Sequence, residues 1–235
     1  MPRMLVRVAK STIGRLDQTL RHRLGIFEFS RNPECILRAE FVRSNSRAKL
    51  SDGIIIKPDD PVLELHLWNE HLPHMGRHGC TVAWARRVSR GMQLSLAELA
   101  AYVSANPDAA DVKAIHGRFA FSLRQGLRQL DRLGNRYGFD VFNDHRPTTL
   151  DDRMHDIGEN ILFWMILWTY NPASIRYNHF LRRRREVWMS RESLLRNYGS
   201  HLGAQCSGPS GTVGQRFDEY AVVRGKFSSA GLAAE

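Results

Sequence analysis

His66, His71, His74 and His78 lie within thirteen residues, with Glu70 among them and Cys80 just beyond. Imidazoles change charge near neutral pH and also ligate zinc, so two chemistries compete for this stretch. A zinc site needs three or four converging ligands. The spacing permits one, but no second ligand cluster accompanies it, and a solvated His-rich loop is the simpler expectation. No metal and no cofactor are expected. Acid–base chemistry would use His66 or His71 with Glu70, beside the Asn69 amide and facing His116 from a neighbouring strand. Those five residues form the candidate catalytic set. No nucleophile motif joins them: GxGxxG, a Walker A loop, HExxH and GxSxG are all absent from the sequence.

The element that must position this set is Val62–Pro73, VLELHLWNEHLP. Leu63, Leu65 and Leu67 fall on one side of an extended chain, and Glu64, His66 and Trp68 on the other. That alternation predicts a strand with its leucine face in a core. Strands are expected at about 34–43, 53–57 and 62–68 in antiparallel succession, with turns at Ser51-Asp52-Gly53 and Pro58-Asp59-Asp60-Pro61. Val82 to Val103 is expected to be helical, broken near Gly91, because Ser95 with Glu98 three residues later resembles a capping box. Val112–Phe121 reads as a strand, Ser122–Arg136 as a helix and Gly138–Asn143 as a short strand. The expected fold is α+β, a mixed, mostly antiparallel sheet of about five strands covered by helices, over residues 26–143.

Helical extensions flank that domain. Residues 1–25 read as a basic amphipathic helix stopped by Gly25, with Leu5, Val8, Ile13, Leu16, Leu20 and Leu24 on one stripe. Residues 144–199 read as a helical pair. Its first member, Thr149 to Tyr170, ends in ILFWMILWTY, an apolar run about half the ~20 residues that a membrane span needs. Its second, Leu181–Tyr198, opens on an arginine block. Residues 200–235 are Gly- and Ser-rich, and a disordered tail is expected there.

The chain of 235 residues carries a net charge of +10, concentrated in residues 1–33 and 173–199. A basic balance of this size suits a polyanion, either nucleic acid or an anionic membrane. Nucleic acid is disfavoured, because an apolar tryptophan-rich helix has no place in a reading surface. At a lipid interface it does: Trp164, Trp168 and Tyr170 would sit at headgroup depth while Arg182, Arg183, Arg184 and Arg185 meet phosphates. Three scattered cysteines, Cys35, Cys80 and Cys206, form no CxxC pair and suit a reducing compartment. The N-terminus lacks the apolar run of a signal peptide. A cytoplasmic protein, peripheral on the inner face of the membrane, is therefore expected.

Four stretches together, LSDGIIIKPDDPVLELHLWNEHLP, WARRVSRGMQLSLAELAAYV, DVKAIHGRFAF and GFDVF, resemble the YkoP-like domain family. Such domains are similar in a DG turn, a Gly-Asp turn, an LHxxNxxL stretch, a Ser/Leu-rich helix and a short strand leading to Gly. Here Asp59-Asp60-Pro61 stands where the Gly-Asp turn is usual. The resemblance covers about residues 34–143 and implies the fold and a bacterial envelope setting, since such domains occur alone or beside polysaccharide deacetylase domains. It implies no catalytic residues. The expected function is thus a non-catalytic envelope accessory protein, docking on anionic membrane or on a membrane-associated envelope enzyme. The alternative is a small-molecule or polysaccharide-pathway enzyme with a His/Asn/Glu pocket at the end of the central strand.

Overall fold

The structure, a computed structural model, describes residues 21–76, 81–121, 132–143 and 183–199, together with Arg15, Gln18, Thr19, Met165 and Thr169. Strands β1 (Leu37–Arg43), β4 (Pro61–Leu67), β5 (Ala114–Phe121), β6 (Asp140–Asn143) and β7 (Arg183–Ser190) form a five-stranded sheet in the order β1-β4-β5-β7-β6. The β4–β5 pairing is parallel and the other three are antiparallel. Helix α1 (Val82–Ala105) supplies the crossover that a parallel pair requires. A mixed sheet in an α+β domain, as the period-two patterns implied, is what forms.

The leucine face of β4 is buried as its alternation predicted. Leu63 and Leu65 join Leu37 and Ala39 of β1, Ile115 of β5 and Val187 and Met189 of β7 in the main core. Leu96, Leu99, Ala100 and Val103 of α1 cover them, with Leu194 and Tyr198 of α2 (Arg191–Tyr198). Thr81 caps α1 by accepting a hydrogen bond from the Trp84 N–H, and Asn106 ends the helix with its own N–H on the Tyr102 carbonyl.

α1 does not break at Gly91. Ser95 is not a cap: its hydroxyl donates to the Gly91 carbonyl at 2.6 Å and accepts from the Ile36 N–H at 2.8 Å. A Cβ on Gly91 would lie 3.0 Å from Ile36 Cγ2 and 3.2 Å from the Glu34 carbonyl oxygen. Both residues thus serve close approach of helix to strand, which a sequence pattern cannot separate from a break. Gly25 does stop the preceding segment: at φ +73° it lets the Ile26 N–H reach the Arg21 carbonyl at 3.0 Å, the six-to-one bond of a Schellman cap.

Two further expectations are corrected. The segment expected as the middle strand does not lie between its neighbours. β1 pairs directly with β4, from Leu37↔Leu67 to Arg43↔Pro61, while β3 (Ile55–Ile56) pairs with β2 (Ala48–Lys49) in a separate ribbon. The Ser44 N–H bonds the Asp60 carbonyl and the Asp59 N–H bonds the Ser44 carbonyl, so the intervening residues are pinched off at their root. The ribbon lays Ala48, Leu50 and Ile56 over Val62, Ala114 and Trp188 on the other face of the sheet.

The helix expected over Leu181–Tyr198 is instead strand β7 followed by α2. Glu186 and Trp188 face one way and Val187 and Met189 the other, a period of two that the arginine block obscured. Arg183, Arg184 and Arg185 therefore sit on a strand, opposite Phe121, Ala120 and Phe119 of β5. Ser190 opens α2 as its cap, accepting from the Ser193 N–H at 2.9 Å. The sheet thus continues well past Asn143, where the sequence pattern had ended it. Trp164, Trp168, Tyr170, Arg182, the first fourteen residues and residues 200–235 lie outside the described residues.

Candidate functional site

The second face of the sheet is apolar only under the ribbon. Beyond it, strand register sets charged side chains side by side: Glu40 opposite Glu64, Glu64 opposite His116, and His116 opposite Trp188. Arg118 stands opposite Glu186 one step along. Two carboxylates directly across a strand pair repel, so this row needs compensation. His66 Nε2 lies 3.1 Å from Glu40 Oε2, and Arg118 Nε lies 3.4 Å from Glu64 Oε1. Between ribbon root and polar row is a cleft of about 100 Å³, lined by Arg43, Ser44, Asn45, Glu64, His116, Arg118 and Glu186, with Trp188 and two valines below.

His116 is the centre of this arrangement. Its side chain is 9% exposed and its ring stacks on Trp188, centroids 4.2 Å apart. Nδ1 is 4.0 Å from Glu64 Oε2 and Nε2 is 4.0 Å from Glu186 Oε2, too far in either case for a hydrogen bond. Among the described residues Nε2 is buried with no hydrogen-bond partner. Burial pushes the imidazole down to about 4, against the pull of Glu64 and with the help of Arg118 and His66. Although carboxylates stand at both ring edges, desolvation wins, and the ring is neutral at pH 7. One nitrogen then carries a proton and the other is a bare acceptor.

The five residues of the sequence-predicted catalytic set divide. His66 and His116 share the polar face on adjoining strands, and each couples to a glutamate. Asn69, Glu70 and His71 do not join them. Asn69 Nδ2 donates to the Leu67 carbonyl at 3.4 Å, and His71 Nδ1 is 2.8 Å from the Cys35 carbonyl. The His71 ring stacks on Trp68 at 3.6 Å, while Arg38 lies over the same indole. Glu70 bridges Arg21 and Arg38, and Arg38 also holds Glu28 at 2.9 Å. Arg38 is only 5% exposed, so these bonds mainly neutralise a buried guanidinium. That cluster ties the segment before β1 to the end of β4.

Sequence reasoning missed Glu64, Arg118, Glu186 and Trp188 as site residues. The alternation already put Glu64 beside His66, but Glu186 and Trp188 were hidden by reading their strand as a helix. Among the described residues no three His, Cys, Asp or Glu side chains converge as metal ligands, and no helix is long and apolar enough to cross a membrane.

A helix-covered mixed sheet with a ribbon and a polar cleft on its far face defines an α+β domain with one chemically distinct site. Residues 33–198 match the YkoP domain family, and the chain belongs to that family. The match runs from before β1 to the end of α2, so β7 lies inside the family's domain. No curated protein and no solved structure matches the chain.

The depressed imidazole makes stability pH-dependent in a defined window. With a folded value of about 4 and an unfolded value near ~6.5, the unfolded chain binds more protons between those limits. Its contribution is therefore complete above pH ~6.5 and is lost as pH falls toward about 4, roughly 3 kcal/mol in all. Denaturant unfolding across this range should show His116→Phe losing less stability on acidification than the parent chain; equal slopes would place the ring in solvent.

Proposed function

We propose that this YkoP domain is a small-ligand-binding module whose site is the cleft at Glu64, His116, Arg118 and Glu186. The observation that carries the reading is the buried, neutral His116 with an unpartnered Nε2. An unmade hydrogen bond of this kind costs ~1–3 kcal/mol. A group left so in a native domain calls for an explanation, and a ligand or a reaction that uses it supplies one. The cleft could support proton transfer, since a neutral imidazole stands between two carboxylates, but the one hydroxyl among its described lining residues, Ser44, donates to the Ser46 carbonyl at 2.9 Å. Binding is accordingly the function the geometry favours. It is not the pocket expected at the strand end: of the candidate catalytic set only His116 lines this cleft.

A nuclear magnetic resonance titration tests this. The Trp188 indole N–H and the His116 ring protons should shift and saturate with at least one member of a panel of small amines, polyols and carboxylates. Glu64→Gln should weaken that response. Shifts confined to the Trp68–His71 cluster would move the site to the strand end.

A second reading, docking of an envelope accessory protein on anionic membrane, is favoured by one observation. Arg183, Arg184 and Arg185 open β7 opposite Phe119 to Phe121, which gives that end of the sheet a basic and aromatic sequence. Guanidinium–phosphate attraction near a bilayer is worth about 1 kcal/mol per residue. Replacing the three arginines with glutamine should thus cut sedimentation with anionic vesicles, and binding by the parent chain should fall with salt. Equal sedimentation with neutral vesicles would remove this reading.

A further inference from the structure

The depth of the cleft and its rim differ in chemistry. At the rim are donors: Arg43 is exposed and bonds the Asp59 carbonyl, and the Arg118 side chain is 41% exposed. At depth are acceptors. The Glu64 and Glu186 side chains are 17% and 16% exposed, and His116 adds one bare ring nitrogen. Among the described residues Arg118 Nε reaches Glu64 at 3.4 Å and Trp188 Nε1 reaches Glu186 at 3.4 Å. The floor therefore holds two negative charges and a surplus of lone pairs, in a chain whose net charge is +10. An acidic floor in so basic a protein is a local feature rather than background.

From this we infer that the ligand is a small cation bearing N–H donors, a primary ammonium group, held by Glu64 and Glu186 beside the buried Nε2 of His116. The inference rests on the cleft being a ligand site and names what enters it. A hydroxyl compound could satisfy lone pairs but would bring no positive charge to two poorly solvated carboxylates, of which only Glu64 is given an ion pair by Arg118 among the described residues. A carboxylate or phosphate would be repelled from the floor. A single metal ion does not suit the geometry, because the two carboxylates flank opposite ring edges, each 4.0 Å from a different nitrogen. A primary ammonium has three donors at tetrahedral spacing, enough to engage both carboxylates or a carboxylate and the imidazole. The cleft volume of about 100 Å³ accommodates an aminoethyl group rather than a whole oligomer.

The test follows the Trp188 indole N–H in the full chain during titration with ethanolamine, ethylene glycol, glycolate or calcium chloride. Ethanolamine should produce a saturable shift, and the other three should not. Nα-acetyllysine amide, run in parallel, distinguishes a lysine side chain from a free amine as the source, the tighter binder naming it. Glu64→Gln and Glu186→Gln, each with melting checked, should weaken ethanolamine about tenfold or more, the usual loss for one charge-assisted bond. Saturation with glycol, glycolate or calcium in place of ethanolamine would overturn the ammonium group while leaving the cleft a ligand site. No response to any probe would overturn both.

Discussion

The antiparallel pairing of β5 with β7, in register from Ala114↔Ser190 to Phe121↔Arg183, is the constraint on which the rest depends. It draws the last part of the domain between β5 and β6. It places Val187 and Met189 under α1 and Trp188 under the ribbon. It also fixes Glu186 and Trp188 against Arg118 and His116. Without β7 the sheet would lose its link to β6, the ribbon part of its floor, and His116 both its stacking partner and one flanking carboxylate.

The ribbon and the cleft are two uses of one sheet face. Asp52 at the ribbon's turn accepts from the Ser190 and Ser193 hydroxyls, and Asp140 of β6 accepts from the Ser51 N–H at 2.8 Å. Burial alone would raise the Asp52 carboxyl, but the two serine bonds and the Ile54 N–H outweigh it and hold it below the usual range. These bonds fasten the ribbon to the start of α2, over Val62, Ala114 and Trp188. Where the ribbon ends, the same face has no apolar cover among the described residues, and the side chains there become polar. That boundary is the wall of the cleft, so the covered half and the chemical half are set by one short insertion between β1 and β4.

The fold was legible where side chains alternate cleanly. LELHL in β4 and the apolar stripe of α1 announced their geometry and their buried faces. Where two physical causes give one pattern, the sequence misled. Ser95 and Gly91 look alike as a helix break and as a close helix–strand contact, and only the position of Ile36 decides between them. The arginine block drew attention from the two-residue period of Glu186-Val187-Trp188-Met189. Charge is visible in any sequence, but a strand's partners are distant, and Glu186 meets His116 only through a pairing of residues some seventy apart. For the same reason the site was half legible. His66 and His116 were recognisable as chemistry-bearing, whereas of Asn69, Glu70 and His71, adjacent in sequence, Glu70 pairs with Arg38 and the other two bond backbone carbonyls at the strand end.

The central claim is that His116 is a buried, neutral imidazole held between Glu64 and Glu186. Its ring-proton chemical shift, followed against pH in the intact chain, tests this most directly. The account predicts an inflection depressed to about 4, with the Trp188 indole N–H responding at the same pH. An inflection near the ordinary value of ~6.5, with Trp188 silent, would contradict it.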